Sequence, residues 1–147
     1  METTCGIFLF TRKNKLLVGH VTNTRDRWSI PKGLPDPGEP MMEAAKRELI
    51  EESNVKYESL NVVKLVQNNT KTYKNKKKCL YSVSVFTNNG SKDFDLKCNS
   101  MVEGKGEPFP EIDDFRFVTV EEALKMDIQE TQKEVLRDLI KDGIIQV

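Results

Sequence analysis

Gly33-Leu34-Pro35-Asp36-Pro37-Gly38-Glu39-Pro40-Met41-Met42-Glu43-Ala44-Ala45-Lys46-Arg47-Glu48-Leu49-Ile50-Glu51-Glu52-Ser53-Asn54-Val55 decides how this chain folds. The prolines and glycines from Pro31 to Gly38 forbid helix or ladder continuation and fix an exposed loop after the short strand Trp28-Ser29-Ile30. From Pro40 to about Ser53 the chain turns rich in Met, Ala, Glu, Lys, Arg and Leu, which predicts a helix, with Pro at its start where a missing donor costs least. Met42, Ala45 and Leu49 share one side and are its expected buried stripe. With Glu48 as the zero of the wheel, Glu51 lies at about −60° and Glu52 at about +40°, so three carboxylates crowd one arc. The positions four residues on hold Glu52, Val55 and Lys56, so matched i,i+4 ion pairs do not explain the arc. A divalent cation would relieve the repulsion, and Mg²⁺ prefers carboxylate oxygens while keeping places for water and substrate phosphates. Spacing alone leaves a plain acidic face in water as the competing explanation.

The full stretch resembles the Nudix box: Gly, five residues, Glu, seven residues, Arg-Glu, an aliphatic, any residue, Glu-Glu, any residue, Gly, an aliphatic. Gly33, Glu39, Arg47, Glu48, Leu49, Glu51, Glu52 and Val55 fall in register. Asn54 stands where the family usually has Gly, at a helix C-terminus that wants a left-handed residue, and Asn is the next most tolerant there. Trp28-Ser29-Ile30-Pro31-Lys32-Gly33 before the box and Pro110-Glu111-Ile112-Asp113-Asp114-Phe115-Arg116-Phe117-Val118 after it also look like Nudix sequences. The resemblance implies an α/β fold, an α/β/α sandwich with a mixed β-sheet, in one domain over residues 1–147. It implies attack of water on a phosphorus of a nucleoside diphosphate-linked substrate, with Mg²⁺, or Mn²⁺ in its place, held by Glu48, Glu51 and Glu52. A carbonyl near Lys32 and Gly33 commonly joins such ligands. Arg47 and Glu39 are expected to orient the ligand helix, since an arginine fork fixes a carboxylate. Glu111 matches an acid that in some family members reaches the metals or orients water; the alternative is a plain loop acid.

Outward from the box, Cys5 to Phe10 and Leu16-Leu17-Val18 flank the polar turn Arg12-Lys13-Asn14-Lys15 and predict a β-hairpin. Leu60 to Val66 and Leu80 to Phe86 read as strands joined by the lysine-rich stretch, and Asn88-Asn89-Gly90 ends the second. Residues 91–110 carry little periodicity and read as a long irregular loop. Phe115 to Val120 resembles a last strand, Glu121 to Met126 a short helix, and Thr131 to Asp142 a longer one stopped by Gly143.

The chain has 23 basic and 23 acidic residues, so no general attraction to nucleic acid or anionic lipid is expected, and no stable DNA complex. The charge is nonetheless uneven: residues 64–78 hold six lysines and no acid, while residues 103–142 hold twelve acids against six bases. Cys5, Cys79 and Cys98 lack paired spacings, which fits a reduced, cytoplasmic compartment. No apolar run approaches the roughly 18 residues of a membrane span. A monomer or homodimer is expected.

The lesser signals each carry two readings. Trp28 reads as a core plug rather than a base platform; Tyr73 and Tyr81 are the better stacking candidates, although Tyr81 lies mid-strand. His20, the sole histidine, reads as structural. The connection Lys71 to Lys78, with Lys76, Lys77 and Lys78, is either a solvated turn or a clamp for phosphates, and Lys32 is a further expected substrate-binding residue. The flanking motifs resemble hydrolases of dinucleoside polyphosphates such as Ap4A, or of 5′-triphosphorylated RNA ends. Diphosphoinositol polyphosphate, ADP-ribose or nucleotide-sugar, and (d)NTP hydrolysis stay open, because specificity lies in loops. A non-catalytic nucleotide-binding Nudix module is the reading outside the enzyme class, and such modules tend to lose box carboxylates.

Overall fold

A computed structural model describes residues 1–147. In chain order the elements are β1 (Glu2–Phe10), β2 (Leu16–Val21), β3 (Arg27–Ser29), β4 (Lys32–Gly33), α1 (Met41–Ser53), β5 (Val62–Gln67), β6 (Lys71–Thr72), β7 (Lys78–Thr87), β8 (Met101–Val102), β9 (Phe109–Pro110), β10 (Ile112–Val118), α2 (Val120–Lys125), β11 (Asp127–Ile128) and α3 (Glu130–Lys141). The main sheet runs β11-β3-β2-β1-β7-β5, with β10 added to β2, β4 to β1 and β6 to β7. It is mixed: β1 pairs β7, and β3 pairs β11, in parallel, and the other pairings are antiparallel.

β1 lies at the centre and is buried on both faces, which explains why its sequence reads as a continuous apolar run. Cys5, Ile7 and Leu9 pack with Ala44, Ala45 and Leu49 of α1, while Phe8 and Phe10 join the cluster of Val135, Leu136 and Leu139 from α3. Two apolar layers on opposite faces of one sheet make the expected α/β/α sandwich. Leu49 is fully buried, so its truncation to alanine would cost about 2–5 kcal/mol.

The expected hairpin is modified. β1 and β2 are in register only at Phe10 and Leu16, because β1 gives its neighbouring edge to β4 and its other edge to β7 over nine residue pairs. β2 finds its main partner in β10 instead. The loop after β7 also contains more than expected, a small hairpin of β8 and β9. α1 matches its predicted span, and Gly143 takes the left-handed stop (φ 72°) that ends α3 one residue earlier. Trp28 is a core plug, 2% exposed. No helix is long and apolar enough to cross a membrane.

Candidate active site

α1 stops at Asn54, whose backbone is left-handed (φ 67°) and whose N–H returns to the Ile50 carbonyl at 2.9 Å. Its side chain does what a glycine could not: Nδ2 donates to the Asp95 carbonyl (2.9 Å) and Oδ1 accepts from Asn99 (3.0 Å). Asn99 also reaches the Ile50 carbonyl, so the long loop is tied across the C-terminal end of α1. Next along it, Ser100 donates to Glu111 Oε2 (2.9 Å) and its carbonyl accepts the Glu111 N–H. Glu111, remote in sequence, is thereby held beside the box helix.

The acidic arc is not a solvated face. Glu48 is 8% exposed and Glu52 5% exposed, on the side of α1 that also buries Ala44, Ala45 and Leu49. Nor is the arc without a base: Arg47 precedes Glu51 by one turn and lies at the hub of the box. Its Nη1 donates to Glu48 (3.1 Å) and Glu51 (2.9 Å), its Nε and Nη2 to Glu39 (3.0 Å each), and its Nη2 also to the Leu34 carbonyl (2.9 Å). Glu39 in turn accepts the Asp36 N–H (2.9 Å), so loop and helix are clasped through one guanidinium. The carboxylates around it hold the arginine more firmly protonated than usual.

Gly33 of β4 faces this cluster. A Cβ there would overlap Cδ, Oε1 and Oε2 of Glu48, and the Gly33 backbone is outside the left-handed region, so the glycine is needed for room and not for its torsion. Burial and the neighbouring Glu51 push the Glu48 carboxyl up to about 7. Burial, then Glu111 and Glu48, push Glu52 up to about 9, although the Lys32 N–H donates to it at 3.3 Å. Lys32 is held below the ordinary lysine range by burial, against the opposing pull of Glu52. Glu52, Glu111 and Lys32 line one cavity of about 300 Å³.

Each carboxylate has a local partner: Arg47 for Glu48 and Glu51, the Lys32 amide for Glu52, Ser100 for Glu111. No three of them converge at ligand distances as they stand. The donor set is nevertheless all carboxylate oxygen, buried at Glu48 and Glu52 and mutually repulsive, which suits a hard divalent cation.

The expected substrate residues divide. Lys32 lines the cavity, with Arg27 and Gln129, which sequence reasoning missed because neither stands in a motif. Tyr73 is half-buried; its hydroxyl donates to Gln129 (3.2 Å) and Lys78 Nζ sits 4.9 Å above its ring, but of these three only Gln129 lines the cavity. Tyr81 is corrected: it belongs to the core under α1, because mid-strand alternation turns it inward, and it offers no ring to a base. Lys76 and Lys77 are exposed on the turn between β6 and β7 and do not line this cavity, and Lys71 is ion-paired with Asp138 of α3 (2.6 Å). Also missed was buried Gln132, which accepts the Ile30 N–H (3.0 Å) and donates to Ser29 (3.0 Å), fixing the floor beside β3.

A profile of the NUDIX domain matches residues 2–139. The chain belongs to the Nudix family. Nudix hydrolases act on pyrophosphate bonds and typically use divalent metal ions. This Nudix chain is 43% identical over 62 residues to an RNA pyrophosphohydrolase of Rhodopseudomonas palustris (strain HaA2), a match covering 37% of this chain and 36% of that protein. A second strain's RNA pyrophosphohydrolase gives 40% over 61 residues, so the chain spans about a third of the length of these curated relatives. Among solved structures, a C. elegans Ap4A hydrolase superposes with a TM-score of 0.71 at 21% identity, covering 99% of both chains. The E. coli dihydroneopterin triphosphate pyrophosphohydrolase gives 0.69 at 12%, covering 95% of each. At such identities these likenesses establish the fold.

Proposed function

We propose that this Nudix protein is a Mg²⁺-dependent pyrophosphohydrolase of nucleotides that carry a linear polyphosphate, either the 5′-triphosphate of an RNA end or the bridge of a dinucleoside polyphosphate. The observation that carries this reading is the burial of Glu48 and Glu52 beside Glu51, with Glu111 and Lys32 lining the adjoining cavity. Burying carboxylates costs several kcal/mol unless something neutralises them, and Arg47 reaches Glu48 and Glu51 but not buried Glu52. The local sequence match to RNA pyrophosphohydrolases supports the triphosphate end. Lys78, whose charge is felt at Lys32 of the cavity, supports a substrate with more than two phosphates.

Glu48, Glu51, Glu52 and Glu111 would hold the divalent ion, which when bound neutralises phosphate charge and raises the acidity of a coordinated water. Arg47 keeps Glu48 and Glu51 oriented and keeps the Pro35–Gly38 loop against α1. Lys32 supplies positive charge to the phosphate oxygens, and its partial burial strengthens that interaction. A carboxylate among Glu51, Glu52 and Glu111 receives the proton of the attacking water. The test is a product-resolved panel with Mg²⁺: triphosphorylated RNA, Ap4A, Ap3A, ADP-ribose, (d)NTPs and diphosphoinositol phosphates. The reading expects the highest kcat/KM on triphosphorylated RNA or Ap4A; a clear preference for ADP-ribose, or no turnover at all, overturns it.

A further inference from the structure

The turn between β1 and β2 and the segment after β7 enclose a second cavity, of about 370 Å³. No hydrophobic residue and no acid lines it, and four of its seven residues are cations, Arg12, Lys13, Lys15 and Lys92. In a chain with 23 bases and 23 acids this segregation does not follow from composition. None of the four takes part in an ion pair. Two acids in neighbouring turns, Asp93 and Glu122, are occupied by the backbone N–H groups of Gly90 (2.8 Å) and Thr119 (2.9 Å).

The cations are seated by the fold. The Arg12 N–H donates to the Asn89 carbonyl (3.0 Å), and its guanidinium lies over Gly90, where a Cβ would stand 2.6 Å from Nη2. The buried Thr11 hydroxyl accepts the N–H groups of Lys13 and Lys15 at 3.3 Å each, which shapes the turn that presents them. Gly6 pairs with Lys32 at the candidate active site, and Thr11 lies five residues further along the chain. At about 3.3 Å per strand residue the two cavities are roughly 16 Å apart.

We infer that this cavity binds closely spaced phosphoryl groups at a site separate from the hydrolytic cleft. An arginine fork takes phosphate oxygens in pairs, and three ammonium groups add charge without demanding one geometry. With no ring to stack a base and no hydrophobic side chain in its lining, the cavity recognises phosphate and not nucleoside. That chemistry is offered by a free condensed phosphate or by the backbone of an RNA chain.

The test is titration of the ¹⁵N-labelled protein with tripolyphosphate in EDTA, where the acidic cleft has no metal to attract an anion. Amide shifts at Lys13, Lys15, Ser91 and Lys92 should saturate while those of α1 stay in place. Arg12→Gln with Lys15→Gln should weaken binding by about tenfold or more, with kcat on a short substrate unchanged. Exposed Lys92→Gln alone, which leaves Arg12 over Gly90, should weaken it less and guards against misfolding of the double variant. Shifts that chloride or sulfate reproduce at equal ionic strength, or equal affinity in the variants and the wild type, overturn the inference. 5′-Monophosphorylated RNAs of increasing length identify the source: affinity that climbs with length points to RNA, and length-independent binding weaker than tripolyphosphate points to a free condensed phosphate.

Discussion

Replacing Gly33 by alanine separates room from torsion at the centre of the site. The added methyl would overlap all three terminal atoms of the Glu48 side chain. Either β4 retreats or the carboxylate swings aside. β4 is held by its ladder to Cys5 and Gly6, whereas the end of a glutamate is flexible, so the carboxylate moves. Restoring ordinary contact, about 3.5 Å or more, displaces it by over 1 Å. That breaks the Arg47 to Glu48 hydrogen bond (3.1 Å), a loss of about 1–2 kcal/mol. For a chain of this size the melting temperature should fall by about 4 °C. The catalytic effect should be far larger, since misplacing a metal-side group by about 1 Å costs on the order of 10²-fold in kcat. The assay pairs a thermal melt with Mg²⁺-dependent turnover of the best panel substrate. Combined with Glu48→Gln, the losses in kcat should be clearly less than multiplicative, because both changes act on one carboxylate. Wild-type kcat in Gly33→Ala, or fully multiplicative losses in the double variant, would refute the argument.

Glu52→Gln should keep the fold and lower kcat by about 10²-fold or more, read by steady-state kinetics; near-normal turnover would remove Glu52 from the metal set. The raised carboxyls at Glu48 (about 7) and Glu52 (about 9) bind protons that their unfolded counterparts have already lost. Their folded-state advantage is therefore complete below the ordinary glutamate range near 4.5 and is lost as pH rises towards about 9. Mg²⁺ binds the deprotonated form, so its stabilisation in a thermal melt should grow from about pH 6 to about pH 9, and a pH-independent effect would contradict the buried site. Arg47→Lys cannot bridge Glu39, Glu48 and Glu51 at once and should lower kcat by about tenfold or more; rescue of turnover at higher Mg²⁺ concentration would mark Arg47 as a positioning residue. Replacing Lys76, Lys77 and Lys78 together by Gln should raise KM for a long polyanionic substrate and flatten its salt dependence at nearly constant kcat; an unchanged KM at low salt would return these lysines to a solvated turn.

Most of the fold was legible wherever one period dominated. α1 followed from its helix formers and from Asn54 as a left-handed stop, and both the span and the torsion agree. The β1 and β2 pairing was misread because two apolar runs around a polar turn imply a hairpin, while the competition of β4 and β7 for the edges of β1 is non-local. β11 and the β8–β9 hairpin, two residues per strand, are too short to carry any period at all. Tyr81 failed for a related reason. Tyr81-Ser82-Val83-Ser84-Val85 does alternate, but residues 81 to 87 are all buried, so both faces of β7 are covered and the alternation does not tell whether Tyr81 meets the core or a ligand.

At the site, the wheel placed Glu48, Glu51 and Glu52 on one arc but could not separate a wet face from a buried one, since both have the same spacing. Burial resolved it, and burial depends on β4 and β10, which no local pattern of α1 encodes. Arg47 shows the converse. Looking only four residues ahead of each acid hid the base one turn behind Glu51, although its motif position marked it as an orienting group. Gln129, Gln132 and Arg27 had no such mark, because their roles come from where α3 and β3 dock and not from what stands beside them in the chain. Three of the four candidate metal carboxylates are thus carried by one helix and can be read locally, whereas Glu111 comes from just before β10. The other residues that line the candidate cavity come from β2, β3, β4, β10 and the residue before α3, so on the proposed reading a change of substrate can be reached without altering the box carboxylates. Exchanging Gln129 or Tyr73 should therefore move the ratio of kcat/KM between triphosphorylated RNA and Ap4A while leaving the Mg²⁺ requirement intact, and a parallel loss on both substrates would place these residues in support of the fold instead.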